Sequence, residues 1–381
     1  MRHITLVAMA AALGLQLSSL AAAAATVADA NPAAPSALAA VSCPTLHACV
    51  AVGTQGASAQ RALAEQWNGT RWSVVPTPAT GATDTTLSAV SCSSPVACTA
   101  VGDTQPGQGL AYPGTPLAER WNGSSWVMQS FPEPSGTDVG AYLTGVACPS
   151  ANRCVAVGFY DLSGAGEHSI AANWNGTSWA LQSFTGYSAD LLSVSCASVR
   201  SCLAAGDFGG QTAALRWDGT SWKRLHPPNP TTPEPGDGLN GVGCTSVPAV
   251  SCQTVGEEST GDLSESTFGL GWNATAWAME YTPSPGNGAS LAGVSCASSS
   301  SSACVAVGGH RSDVGGLPLI GMWNGSTWIT ASTALVRGSL SGVSCTAPMA
   351  CTAVGITRVH AGGLPLIERL SRSGWNRQTA A

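Results

Sequence analysis

Charge is scarce in this 381-residue chain. Asp, Glu, Lys and Arg together make up only 9% of it, with a net charge of -6. Soluble domains usually carry ~25% charged residues. Lys223 is the sole lysine, so no basic face for nucleic acid is expected. Phe and Tyr are also rare, at five each, and there are only six His. After residue 25 no apolar run is long enough to span a bilayer. Nucleophile-elbow, P-loop, His-Glu-x-x-His and EF-hand patterns are all missing. These gaps remove most ready-made catalytic readings.

What is abundant points elsewhere. There are 45 Gly, 23 Pro, 14 Cys and 13 Trp, a turn-rich and aromatic-anchored composition that opposes both helical bundles and disorder. Residues 1–25 read as a secretory signal, with Arg2 and His3 before an apolar stretch from Ile4 to Leu20 and small residues at Ala23–Ala25. An uncleaved anchor is the alternative. Residues 26–36, rich in Ala and Pro, read as a linker.

The remainder, 37–381, is a sevenfold repeat. Leu38–Cys43 recurs at Leu87–Cys92, Leu143–Cys148, Leu191–Cys196, Leu239–Cys244, Leu291–Cys296 and Leu340–Cys345. The first cysteines are spaced 49, 56, 48, 48, 52 and 49 residues apart. The units are about 37–83, 84–138, 139–188, 189–236, 237–288, 289–337 and 338–381. Within each, Leu-x-x-Val-x-Cys reads as a half-buried strand of period two. A second strand of the type Cys49-Val-Ala-Val-Gly53 ends on a residue permissive for positive φ. The third and fourth strands flank Asn-Gly at 68–69, 122–123, 175–176 and 324–325, or Asp218-Gly219, which predicts a type I′ hairpin turn. Asn273-Ala274 is a poorer version of the same turn. The same positions are formal N-glycosylation sequons in five units, read first as turns because they recur at the hairpin.

Four short strands per unit at this period predict an all-β, seven-bladed β-propeller of four-stranded antiparallel blades. The first unit opens with the first strand and the last closes with the fourth, near Trp375, so no borrowed closing strand is expected. The pattern of a Gly-terminated second strand, an aromatic before the third turn and a Trp after it resembles kelch-repeat propellers. It departs from them in its cysteine pairs, in Trp67-Asn68 where kelch prefers Tyr-Asp, and in showing a Gly pair only at Gly308-Gly309. It also resembles the Cys/Trp repeats of secreted bacterial propeller proteins, mostly of unknown activity. The resemblance implies architecture, not function.

Two cysteines per unit, behind a signal segment, predict one local disulfide per blade: Cys43–Cys49, Cys92–Cys98, Cys148–Cys154, Cys196–Cys202, Cys244–Cys252, Cys296–Cys304 and Cys345–Cys351. The spacing is not that of a zinc site, and no cysteine is left over, so neither a metal nor a cofactor is expected. Six units carry Trp-x4-Trp. A two-residue turn would pair Trp67 with Thr70, and a four-residue loop would pair Trp67 with Trp72. Either places both rings on one face, as blade-to-blade packing. A ring of sugar-stacking platforms is the rival reading.

Polar variety concentrates in the loops after the second strand, where repeat proteins place function. The candidate ligand-binding residues are Tyr160, Asp161, His168, Asp207, Glu257, His310, Arg311, Arg358 and His360. His310 and Arg311 in the sixth unit and Arg358 and His360 in the seventh are expected to converge into a basic patch suited to an anionic ligand. The expectation is a secreted, monomeric binding module for extracellular or cell-surface polymers such as glycans, or for a protein, rather than an enzyme. A propeller-type glycosidase or polysaccharide lyase and a structural envelope protein are the alternatives.

Overall fold

The computed structural model describes residues 34–381, apart from 108–112, 136–139, 163–165, 185–187, 231–236, 247–248, 260–264, 286–287, 298–302, 314, 334–335 and 360–361. The expected signal segment, most of the linker and His360 lie outside the described residues. Seven four-stranded antiparallel sheets follow one another, each built from four consecutive strands. Blade 1 runs Ser36–Thr45, Ala48–Gln55, Arg61–Trp67 and Trp72–Val74, from the innermost strand outward. Blade 7 is Gly338–Ala347, Ala350–Val359, Gly362–Ser371 and Gly374–Gln378, so the last blade borrows no strand from the first.

Serine fixes the blades to one another. The Ser before the first Cys accepts a hydrogen bond from the backbone N–H of that Cys in the next blade. The pairs are Cys92 to Ser42, Cys148 to Ser91, Cys244 to Ser195 and Cys345 to Ser295, at 2.9–3.0 Å. Cys43 to Ser344, at 2.9 Å, closes the ring from blade 7 to blade 1. Blades 3 and 5 carry Ala147 and Gly243 at this position. There the bridge shifts to Thr144 Oγ1 donating to the Leu191 carbonyl and Asn240 Nδ2 donating to the Leu291 carbonyl. The Ala380 side chain also packs against the core of blade 1, and Ala381 N–H donates to Glu65 Oε2 at 3.1 Å.

Three local expectations are corrected. Leu-x-x-Val is not a plain alternation: the register slips by one between Leu38 and Ala40, as at the matching place in blades 2, 4, 5, 6 and 7. Blade 3 has the same slip, between Leu143 and Gly145, opposite Gly158 and Val157. This β-bulge puts Leu38 and Val41, three residues apart, on the same buried side. The Gly of the second strand neither ends that strand nor adopts positive φ. It faces the bulge, where a Cβ on Gly53, Gly102, Gly158, Gly206, Gly256, Gly308 or Gly355 would lie only 1.8–2.1 Å from a carbonyl oxygen of the inner strand. The Asn-Gly hairpins are four-residue loops, not two-residue type I′ turns. Trp67 pairs directly with Trp72, and Asn68 Oδ1 accepts from Thr70 N–H, Thr70 Oγ1 and Arg71 N–H at 2.8–3.1 Å. Only the Gly needs positive φ, +97° at Gly69.

All seven expected disulfides are present, and no described cysteine is free. Six Trp pairs stack tilted at 5.5–6.0 Å between ring centroids. Most of these rings are buried in clusters that span two blades, such as Trp121 and Trp126 against Val50, Val52 and Ala64. The tryptophans are packing material, and they form no exposed shelf.

Candidate binding site

The disulfide turns and the Asn-Gly loops occupy one rim. The other rim carries the loops between second and third strands together with the connections between blades. There, the second strand of blade 6 (Cys304–Ser312) continues past Gly308 and carries His310 and Arg311. The second strand of blade 7 (Ala350–Val359) carries Arg358. Backbone bonds pin both: Arg311 N–H donates to the Gly288 carbonyl at 3.2 Å, and Arg358 N–H to the Arg337 carbonyl at 2.8 Å. Gly288 has φ +72°, and a Cβ there would lie 2.9 Å from Arg311 Cδ, so the arginine stem rests on bare backbone.

Between these blades lies a cleft of about 610 Å3 that reaches the inner strands at Ala292 and Ser341. His310, Arg311 and Arg358 line it together with the hydroxyl residues Ser290, Ser339 and Ser341. Among the described residues, no carboxylate lines it. His310 Nδ1 lies 3.2 Å from the Arg311 carbonyl, which orients the imidazole. Six glycines in the walls keep backbone amides close to any occupant. Two guanidinium groups and an imidazole around a glycine-walled cleft suit an anion, which accepts hydrogen bonds and offsets the charge.

The other expected residues collect elsewhere on the rim. Tyr160 stacks on His168 in blade 3, with centroids 5.2 Å apart and planes 26° apart. Asp161 pairs with Glu167 across the same hairpin. Glu167 hydrogen-bonds to Asp190 at the start of blade 4. Burial, that bond and the negative charges of Glu167, Asp207 and Asp161 push the Asp190 carboxyl up to about 7. Asp207 is raised as well, chiefly by burial. Glu257, in blade 5, is raised by burial and by Glu265, against a hydrogen bond with Ser290 at the edge of the cleft. The expected residues thus divide into a basic cleft in blades 6 and 7 and an acidic arc through blades 3 to 5. Among the described residues, no group of three or more His, Cys, Asp or Glu is arranged to hold a metal ion.

Sequence reasoning missed several groups. Asp190 directly precedes the Leu191 motif and reads as an ordinary strand start. Glu65, Glu119 and Glu368 are buried in third strands, in an otherwise apolar position. Burial alone pushes Glu119 up to about 7. Arg120, Arg216 and Arg369 each stand just before the third-strand Trp or Leu and reach the Trp of the next blade. A charged residue recurring beside the motif was the available signal for both sets.

No family model matches the chain, and its sequence matches no curated protein. Similar solved structures include β-propellers. The GH74 xyloglucanase from Xanthomonas campestris is 9% identical with a TM-score of 0.57, over 89% of this chain and 53% of that one. This chain therefore spans about half of the xyloglucanase. The β-propeller domain of the Trilobed protease from Pyrococcus furiosus, described as having an open velcro topology, is 7% identical with a TM-score of 0.50, over 90% and 97%. The six-bladed fucose lectin from Aleuria aurantia is 13% identical with a TM-score of 0.43, over 65% and 78%. At these identities the likeness is one of fold alone.

Proposed function

We propose that the protein is a secreted, monomeric binding module that takes an anionic extracellular or cell-surface polymer, such as a carboxylated glycan, at the cleft between blades 6 and 7. The observation that carries this reading is the convergence of His310, Arg311 and Arg358 on a cleft that no described carboxylate lines, in a protein of net charge -6. Seven disulfides suit an oxidising compartment outside the cell. The rigid ring presents the three side chains on strand ends rather than on loose loops, which lowers the ordering cost of binding.

A glycan array with the purified protein tests the reading. Acidic glycans should dominate the retained set, and binding should weaken as salt rises. The Arg311→Ala/Arg358→Ala variant should lose at least ~10-fold in affinity. Full affinity in that variant, with the fold intact by circular dichroism, ends the idea. A propeller-type glycosidase is the second reading, favoured by the cluster of Asp161, Asp190 and Asp207, whose carboxyls are all raised by burial and neighbouring negative charge. Release of reducing ends from a polysaccharide panel, abolished in Asp190→Asn, is its test.

A further inference from the structure

We propose that a pocket on the flank of blade 3 is a second binding site, for a single uncharged pyranose ring. It measures about 270 Å3, below the ~300–1,000 Å3 of drug-sized sites, so it has room for one ring rather than a chain. Its walls come from Tyr160, His168, Leu181 and Phe184, and Gln182 and Ser183 stand at its edge. Among the described residues, no Asp, Glu, Lys or Arg lines it. A charged ligand would find no counter-charge there. A ligand with an apolar C–H face and several hydroxyls would find both aromatic surface and amide and hydroxyl partners.

The walls are braced before any ligand arrives. His168 is stacked by Tyr160 and held at Nδ1 by the Ser188 hydroxyl at 3.2 Å. Phe184 leans on Trp222 of the next blade, with centroids 6.4 Å apart. Gln182 Nε2 donates to the carbonyls of Ala180 at 3.2 Å and Leu181 at 3.3 Å, which sets the amide plane and leaves Oε1 as an acceptor. Ser169, deeper in the wall, is committed to Ala189 through both its donor and its acceptor, so it supports the wall and does not contact a ligand. Rigid apolar faces with two adjustable polar groups at the rim are what selective binding of a small neutral ring requires.

The test uses methyl pyranosides of glucose, galactose, mannose and fucose as probes, by saturation-transfer NMR and calorimetry on the full chain. At least one should bind with a dissociation constant of ~1–10 mM. Gln182→Ala, on the surface and harmless to the core, should weaken it at least ~5-fold. Tyr160→Ala should abolish it, with circular dichroism as the check on folding. The Arg311→Ala/Arg358→Ala variant should bind these probes unchanged, which separates this site from the anionic cleft. Three results overturn the proposal: no pyranoside binding at tens of millimolar, binding that survives both Gln182→Ala and Tyr160→Ala, or tighter binding of an uncharged acetylated dipeptide amide than of any pyranoside.

Discussion

The guanidinium of Arg369 lies over the indole of Trp67, 4.5 Å from the ring centroid, and joins the last blade to the first. The same side chain donates to the Leu46 carbonyl at 2.9 Å. Arg120 over Trp174 and Arg216 over Trp272, at 5.4 and 5.7 Å, repeat the contact at two other seams, and Arg120 also donates to the Ala151 carbonyl. A planar cation that stacks and donates at once is a task for which lysine is a poor substitute.

Arg369→Ala should therefore destabilise the protein by ~1–2 kcal/mol, and Arg369→Lys should recover only part of that. Urea denaturation followed by tryptophan fluorescence measures it. An unchanged midpoint for the alanine variant would mean that the stacking contributes nothing at this seam.

Ala274 is the only non-glycine described with positive φ, at 75°, where the other Asn-containing hairpins carry Gly. Ala274→Gly relieves that strain and should raise stability by ~0.5–1 kcal/mol, read as a rise in melting temperature. The reciprocal change, Gly176→Ala at φ +105°, should lower it by a similar amount.

Gly206 and Gly209 differ in kind. A Cβ on Gly206 would lie 1.8 Å from the Asp190 carbonyl oxygen, whereas one on Gly209 meets nothing within 4 Å but must accept φ +60°. Gly206→Ala should cost upwards of ~3 kcal/mol and Gly209→Ala ~1 kcal/mol. Equal melting temperatures for the two variants would contradict the assignment of Gly206 to the bulge.

Glu119 is wholly buried and, among the described residues, its carboxyl has no hydrogen-bond partner. It lies between Leu117 and Trp121, on the strand face turned to blade 1. Its carboxyl is pushed from 4.5 up to about 7. From pH 4.5 upward the folded protein keeps a proton that the unfolded chain releases, so this group lowers stability as pH rises, by about 3 kcal/mol once pH exceeds about 7. Glu119→Gln should flatten that decline while leaving stability at pH 4 nearly unchanged. Denaturation curves at pH 4, 6 and 8 decide it.

The repeat made the architecture legible because the ring multiplies one pattern seven times. Leu38, Val41, the Cys pair and the Trp pair each mark a position that must be buried, and seven copies leave little room for another fold. The bulge was not legible, since three-residue spacing between Leu and Val carries no label for the slip that reconciles it with a strand. The Gly beside it was visible, but its reason was a backbone atom on another strand. The grouping of His310, Arg311 and Arg358 could be foreseen, because neighbouring units are neighbouring blades. The Glu167–Asp190 bond could not: it joins the third strand of blade 3 to the first strand of blade 4, and their separation across the seam depends on the connection between blades.

Every disulfide joins cysteines six or eight residues apart within one hairpin, and none crosses to another blade. Covalently the molecule is a string of seven closed cassettes. Mechanically it is a split washer, whose gap between blades 7 and 1 is shut by hydroxyls, an arginine and interlocked side chains. Parting the ring there would break no covalent bond and leave every disulfide in place. Reduction would do the opposite, removing a bridge from each of the seven cassettes and none of the contacts that close the ring.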